Sequence, residues 1–168
     1  MDWIELLDDA RADEHRRART TERLLRAAAE EGATLAGSLL DLAEQGRSVR
    51  IATSSRRRHV GAVQLVGLDF LVVGDAWITL ASVASVGVVE GGPTAAGDRP
   101  ATDLRLVEAL ARIAAERPQL AVVTSGGEIV AGRLLTVGAD VLTLRLDGDG
   151  GTAYVPAAAV LEVRVRPG

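Results

Sequence analysis

The sequence predicts a mainly β protein with helices: an N-terminal helical arm, then two repeated units, each a helix plus five short strands curled into a small barrel. Three observations predict it. The first is an internal repeat, in which Val49-Arg50-Ile51-Ala52-Thr53-Ser54 returns as Ala121-Val122-Val123-Thr124-Ser125. Thr53, Gly61, Val66, Gly67 and Asp69 recur 71 positions later as Thr124, Gly132, Val137, Gly138 and Asp140. Farther on, an offset of 77 pairs Ile78, Val83 and Val86 with Val155, Val160 and Val163. The six added residues fall around Asp147-Gly148-Asp149-Gly150-Gly151-Thr152, a turn-like run that lengthens without disturbing a structural unit used twice. The second observation is period-two alternation in His59-Val60-Gly61-Ala62-Val63-Gln64-Leu65 and Leu142-Thr143-Leu144-Arg145-Leu146. The third is the mid-strand position of Gly61 and Gly132, where a small sheet bends on itself.

Residues 3 to 31 read as the first helix, because Leu, Ala, Arg and Glu dominate and no Gly or Pro occurs before Gly32. Asp13/Arg17 and Glu22/Arg26 are spaced i,i+4 in the favourable order. Its apolar stripe is thin, with Trp3, Ile4 and Leu7 at one end and Leu24, Leu25 and Ala28 at the other. Such a helix is expected either to project as an arm, suited to recruiting a protein partner, or to pack only at its two ends. Thr34 is placed to cap a second helix with Leu35, Leu39, Leu40 and Ala43 on one face, stopped by Gly46. In the second copy, Thr102 is the expected cap of a helix carrying Leu106, Val107, Leu110, Ile113 and Ala114, closed by Pro118.

Five strands follow each helix. They are expected near 48–54, 59–68, 70–74, 76–81 and 83–89, and near 120–125, 129–138, 140–147, 152–157 and 159–166. Five short bent strands beside one helix make a closed or nearly closed barrel. The expected divisions are 1–32 for the charged helix, 33–90 and 102–168 for the two barrels, and 91–101, rich in Gly, Pro and Ala, for the linker.

The pattern running from Val49 to Leu71, and again from Val122 to Leu142, resembles the Sm/LSm-like (SH3-like) barrel family. Gly61 and Gly132 match that family's bending glycine, and Asp69 and Asp140 its aspartate before the third strand. The layout is also similar to a group of tandem-barrel proteins of GC-rich actinobacteria. The resemblance covers the two repeats and implies RNA binding at the pore of a ring of subunits. Where the family places its pocket asparagine, this chain has Leu71 and Leu142. Where it places a polar turn between the last strands, this chain has Ala81-Ser82 and Ala158-Ala159.

Composition narrows the function classes. The 168 residues are 48% hydrophobic and only 2% aromatic, so the cores must be aliphatic. The absence of cysteine excludes disulfides and zinc-thiolate sites. No apolar run reaches membrane-spanning length and the N-terminus does not read as an export signal, so a cytoplasmic protein without membrane association is expected. A net charge of −4 argues against whole-surface attraction to nucleic acid. All 19 basic residues are arginine, which with abundant Ala, Gly and Val reads as codon bias.

The one basic cluster is Arg47, Arg50, Arg56, Arg57, Arg58 and His59. It is a candidate nucleic-acid site, since Arg forks bridge phosphate oxygens; the competing reading is a solvated turn in an Arg-biased chain. Its counterpart, Gly126-Gly127-Glu128, lacks the charge. Asp69 and Asp140 read as turn caps. Asp147 and Asp149 lack the spacing of a calcium loop, and neither histidine nor the Ser54-Ser55 pair has the surroundings of a catalytic group. The expectation is a non-enzymatic assembly or interaction protein with no metal and no cofactor. The alternative is an RNA-binding protein, DNA being less favoured. The fourth and fifth strands of the first copy are apolar and carry no ionisable residue, so that edge is expected to be paired, with the second barrel or with another subunit. A homodimer is preferred over a three-chain ring of six barrels.

Overall fold

The structure, a computed structural model, describes residues 15–27, 33–90 and 100–166. Residues 15–27 form helix α1, which is a unit to itself. Arg26 lies 3.8 Å from Glu22, as the spacing predicts, and Thr20 and Thr21 each donate to the carbonyl four residues back. The remainder of the expected arm, including Trp3, Asp13 and Ala28, lies outside the described residues. No helix among the described residues is long and apolar enough to cross a membrane.

The compact unit that begins at Leu35 takes in both copies. The first runs α2 (Leu35–Glu44), β1 (Ser48–Thr53), β2 (Arg58–Val66), β3 (Phe70–Val73), β4 (Ala76–Thr79) and β5 (Val83–Val88). The second runs α3 (Leu106–Ile113), β6 (Gln119–Thr124), β7 (Ile129–Val137), β8 (Val141–Leu146), β9 (Thr152–Pro156) and β10 (Val160–Arg166). A 3-10 turn joins the last two strands of each copy, Leu80–Ser82 and Ala157–Ala159. All ten strands fall where alternation and turn residues put them.

The repeat extends to irregularities. The β2–β3 register shifts between Val63 and Leu65, and the β7–β8 register between Leu134 and Thr136, the same place in each copy. The glycine bends serve close approaches. A Cβ on Gly132 would run into the Arg145 carbonyl on β8, whereas one on Gly61 would meet only a Val73 methyl at 3.3 Å. Helix α3 corrects the expected start. It begins at Leu106 rather than after Thr102, because Pro100 to Leu104 instead straps along the first copy: Val66 N donates to the Pro100 carbonyl, Thr102 N to Val66, and Leu68 N to Leu104.

The expectation of two closed or nearly closed barrels is corrected in one respect, that the sheet is not closed. The ten strands form one open antiparallel sheet, in the order β5-β1-β2-β3-β4-β10-β6-β7-β8-β9. The two copies meet where β4 pairs with β10, with Ile78, Trp77 and Ala76 opposite Glu162, Val163 and Arg164. The reason lies in β3 and β4, which are apolar on both faces and so need cover on both. Leu71, Val73, Ala76 and Ile78 face a first core with Leu39, Val49, Ile51 and Val63. Phe70, Val72 and Trp77 face a second core built by the other copy around Leu106, Leu110, Leu134 and Leu144. A shared wall between two cores holds the sheet continuous. As expected for β4, its outer edge is paired within the chain; β5 and β9 are the two terminal strands of the sheet.

Candidate functional site

Strand periodicity splits the arginine cluster. Successive side chains on β2 point to opposite faces, so Arg58 is exposed while His59 is buried. On β1, Arg50 is exposed opposite Val60, and Ala52 pairs with Arg58, so Arg50 and Arg58 are diagonal neighbours on one outer face. Arg47 is exposed between α2 and β1. Arg57 and His59 turn inward to a residue of the other copy.

That residue is Glu162 on β10, which is completely buried. Its Oε2 accepts from His59 Nε2 at 2.9 Å and lies 3.5 Å from Arg57 Nε, while Oε1 accepts from Arg164 Nε at 3.3 Å. The carboxylate is thus surrounded by three donors, two of them from the first copy. A buried carboxylate is tolerated only when its oxygens are satisfied, so this cluster ties the two copies together at one register. Beside it, the Thr79 and Ser82 hydroxyls both donate to the Leu161 carbonyl, at 3.1 Å each.

The motif-matching residues have structural partners. Asp69 does not cap its own turn with its side chain. Its Oδ1 accepts from Leu106 N at 2.7 Å and caps α3 of the other copy, which an adjacent Glu108 carboxylate supports by accepting from Arg105 N. Its backbone carbonyl accepts from Leu80 N, as that of Asp140 accepts from Ala157 N. The side chain of Asp140 is exposed. Gly61 and Gly132 sit at the strand bends described above.

Among the described residues, cavities lie between the copies. One, of about 400 Å³, is lined by Leu68, Asp69, Leu80, Ala81, Ala157 and Leu161 and is largely aliphatic. Another, of about 370 Å³, lies between the β1–β2 and β6–β7 turns, with Ser54, Ser55, Arg56, Thr124, Ser125 and Gly127 on its walls. Among the described residues, no three His, Asp or Glu side chains converge on a metal position.

Sequence reasoning did not find Glu162 as a junction residue. A signal was present: Glu162, Arg57 and His59 all depart from their repeat counterparts Ser85, Glu128 and Val130. Three polar departures between copies mark where the copies differ in surroundings. No family model matches this sequence, and no curated protein is significantly similar to it.

Proposed function

We propose that this chain is a non-enzymatic assembly module, in which tandem Sm-like units extend end to end through further copies of the same chain. The observation that carries this reading is the β4–β10 junction, because the repeat supplies the same pair of surfaces again at the ends of the sheet. Strand β9 is the counterpart of β4, and β5 is the counterpart of β10. Within each copy the strand order is fifth, first, second, third, fourth, which supports the Sm-like reading.

Three more equivalences point the same way. Leu106, which α3 presses into the second core, is 3% exposed, while its counterpart Leu35 is 38% exposed. Trp77 packs into the other copy, while its counterpart Tyr154 is 71% exposed. Asp69 caps α3, so its counterpart Asp140 is placed to cap α2 of a neighbouring chain at Leu35. Strand β5 carries no charge and no proline to discourage pairing. A second copy therefore seats β5 against β9, with Ser85, Val86 and Gly87 opposite Val155, Tyr154 and Ala153. Such a head-to-tail contact closes into a ring if its rotation permits. A two-chain ring needs the fewest copies; three chains give six units.

The chain has no cysteine, which makes the register directly testable. A Val86→Cys/Tyr154→Cys variant should form intermolecular disulfides on mild oxidation, since opposed residues in an antiparallel pair lie within disulfide reach. A Val60→Cys/Tyr154→Cys control should not. A monomer by light scattering at micromolar concentration, with no crosslink, defeats the reading.

A second reading, RNA binding in preference to DNA, is supported by Arg50 and Arg58 sharing one outer face with Arg56 exposed in the adjoining turn. A mobility shift with single-stranded RNA, losing about one unit of salt slope for each phosphate contact removed, tests it.

A further inference from the structure

We infer that the cavity between the β1–β2 and β6–β7 turns is an anion site for a phosphate group, with Arg56 as its charge. The inference is independent of the assembly reading and begins with a difference between two otherwise equivalent turns. Arg56 and Gly127 occupy the same position in the repeat, and both take the left-handed conformation, with φ of 62° and 82°. Glycine adopts that conformation freely, whereas a side chain there is strained. The first copy thus holds an arginine where the second shows that glycine fits.

Strain alone is no signature of a site. Arg117 is left-handed too, at φ 49°, where it ends the 3-10 turn that follows α3. What sets Arg56 apart is the surface it lines. The cavity brings Ser54 and Ser55 from one copy to Thr124 and Ser125 from the other, with the glycine-bearing turn opposite. Thr53 Oγ1 and Ser55 Oγ share a hydrogen bond of 2.8 Å, and Thr124 Oγ1 donates weakly to the Glu128 carbonyl at 3.3 Å. Among the described residues, the Ser54 and Ser125 hydroxyls and the Arg56 guanidinium have no hydrogen-bond or ion-pair partner. Arg57 and Arg164, by contrast, are both engaged with Glu162. The one carboxylate in the second turn, Glu128, lines a different cavity with Ile129 and Asp147.

One planar cation and the two free hydroxyls of Ser54 and Ser125, lining one cavity from two turns, suit a tetrahedral oxyanion, because Arg forks match phosphate geometry and hydroxyls rotate to fit. The backbone amides of Ser54 and Ser125 are already given to the Ser82 and Ala159 carbonyls, which fixes both turns at their bases. The site is therefore held in place before any ligand arrives. The phosphate belongs either to a free small molecule or to a nucleic-acid backbone, and the chemistry recognised is the same.

The test uses the full chain, isotopically labelled, titrated with inorganic phosphate at constant ionic strength and in parallel with a short single-stranded RNA. Amide shifts should saturate, confined to residues 53–57 and 124–128. Arg56→Gly should weaken phosphate binding at least tenfold, while Tm stays level or rises by roughly 2–4 °C as the turn relaxes. Arg56→Gln keeps the strain and should lose binding equally. RNA shifts at these same amides that vanish in both variants assign the phosphate to a nucleic-acid backbone; phosphate shifts without RNA shifts assign it to a free ligand. Either result upholds the site. Phosphate binding unchanged in Arg56→Gly, or no saturable shift at these turns with either probe, overturns it.

Discussion

The third and fourth strands of the first copy and their counterparts in the second occupy equivalent places and have different surroundings. In β3, Phe70, Leu71, Val72 and Val73 are all buried, because one face serves each core. In β8, the counterparts of Phe70 and Val72 are Val141 and Thr143, which are only half-buried, and Arg145 is exposed. Trp77 stacks on Phe70 with ring centroids 6.0 Å apart, while Tyr154 stands in solvent. The fold of a copy needs one apolar face. The second apolar face on β3 and β4 exists for the neighbouring copy, and its weaker echo on β8 and β9 is what an exposed or intermittently covered face looks like.

That contrast is breakable by paired substitutions. The largest expected effect is Phe70→Ala, which should cost about 4 kcal/mol as both the aromatic stack and the shared wall are lost, while Val141→Ala costs under about 1 kcal/mol. Chemical denaturation of both variants checks the ratio; equal costs would mean that β3 and β8 are equally covered. Next, Glu162→Ala should destabilise by about 3 kcal/mol, because His59 is left buried without its acceptor, whereas Ser85→Ala at the counterpart should change stability by less than about 0.5 kcal/mol. The same denaturation series decides it. Glu162→Gln, which keeps the shape but not the charge, should fall between them.

Glycine sharpens the comparison in the opposite sense. Gly132→Ala should cost about 2 kcal/mol because its methyl meets backbone, and Gly61→Ala about 1 kcal/mol because it meets a movable valine methyl. Thermal unfolding of the two variants should separate by several degrees. The smallest effect is at the aspartates. Asp69→Ala should cost about 1 kcal/mol by uncapping α3, while Asp140→Ala should leave the isolated chain unchanged and weaken self-association. Sedimentation of both variants over a concentration series reads the two effects separately.

Much of this was legible in the residues. Alternation and turn chemistry located the ten strands, and the repeat located Gly61, Gly132, Asp69 and Asp140 at equivalent points. The apolar, uncharged character of the fourth and fifth strands marked one edge of the first copy for pairing, and within the chain this holds for β4, while β5 is a terminal strand of the sheet. The arginine cluster was legible as a cluster, yet its division was not: Arg58 and His59 are adjacent in sequence and end on opposite sides of a strand. The local sequence around Asp69 points only to a cap of its own turn, since nothing nearby connects it to Leu106, which lies 37 residues away.

The sequence by itself determined the local units, because helix and strand periods, glycine bends and turn residues act over a few neighbours and are written twice in the chain. Only the tertiary structure decided that the two units share one open sheet, that Glu162 lies between Arg57, His59 and Arg164, and that two serine-bearing turns face each other across a cavity beside Arg56. The physical reason is range. Backbone pairing of β4 with β10 satisfies any sequence in an extended strand, so the partner is chosen by which apolar faces and buried charges must be covered together, and that choice is made among residues about eighty to a hundred positions apart.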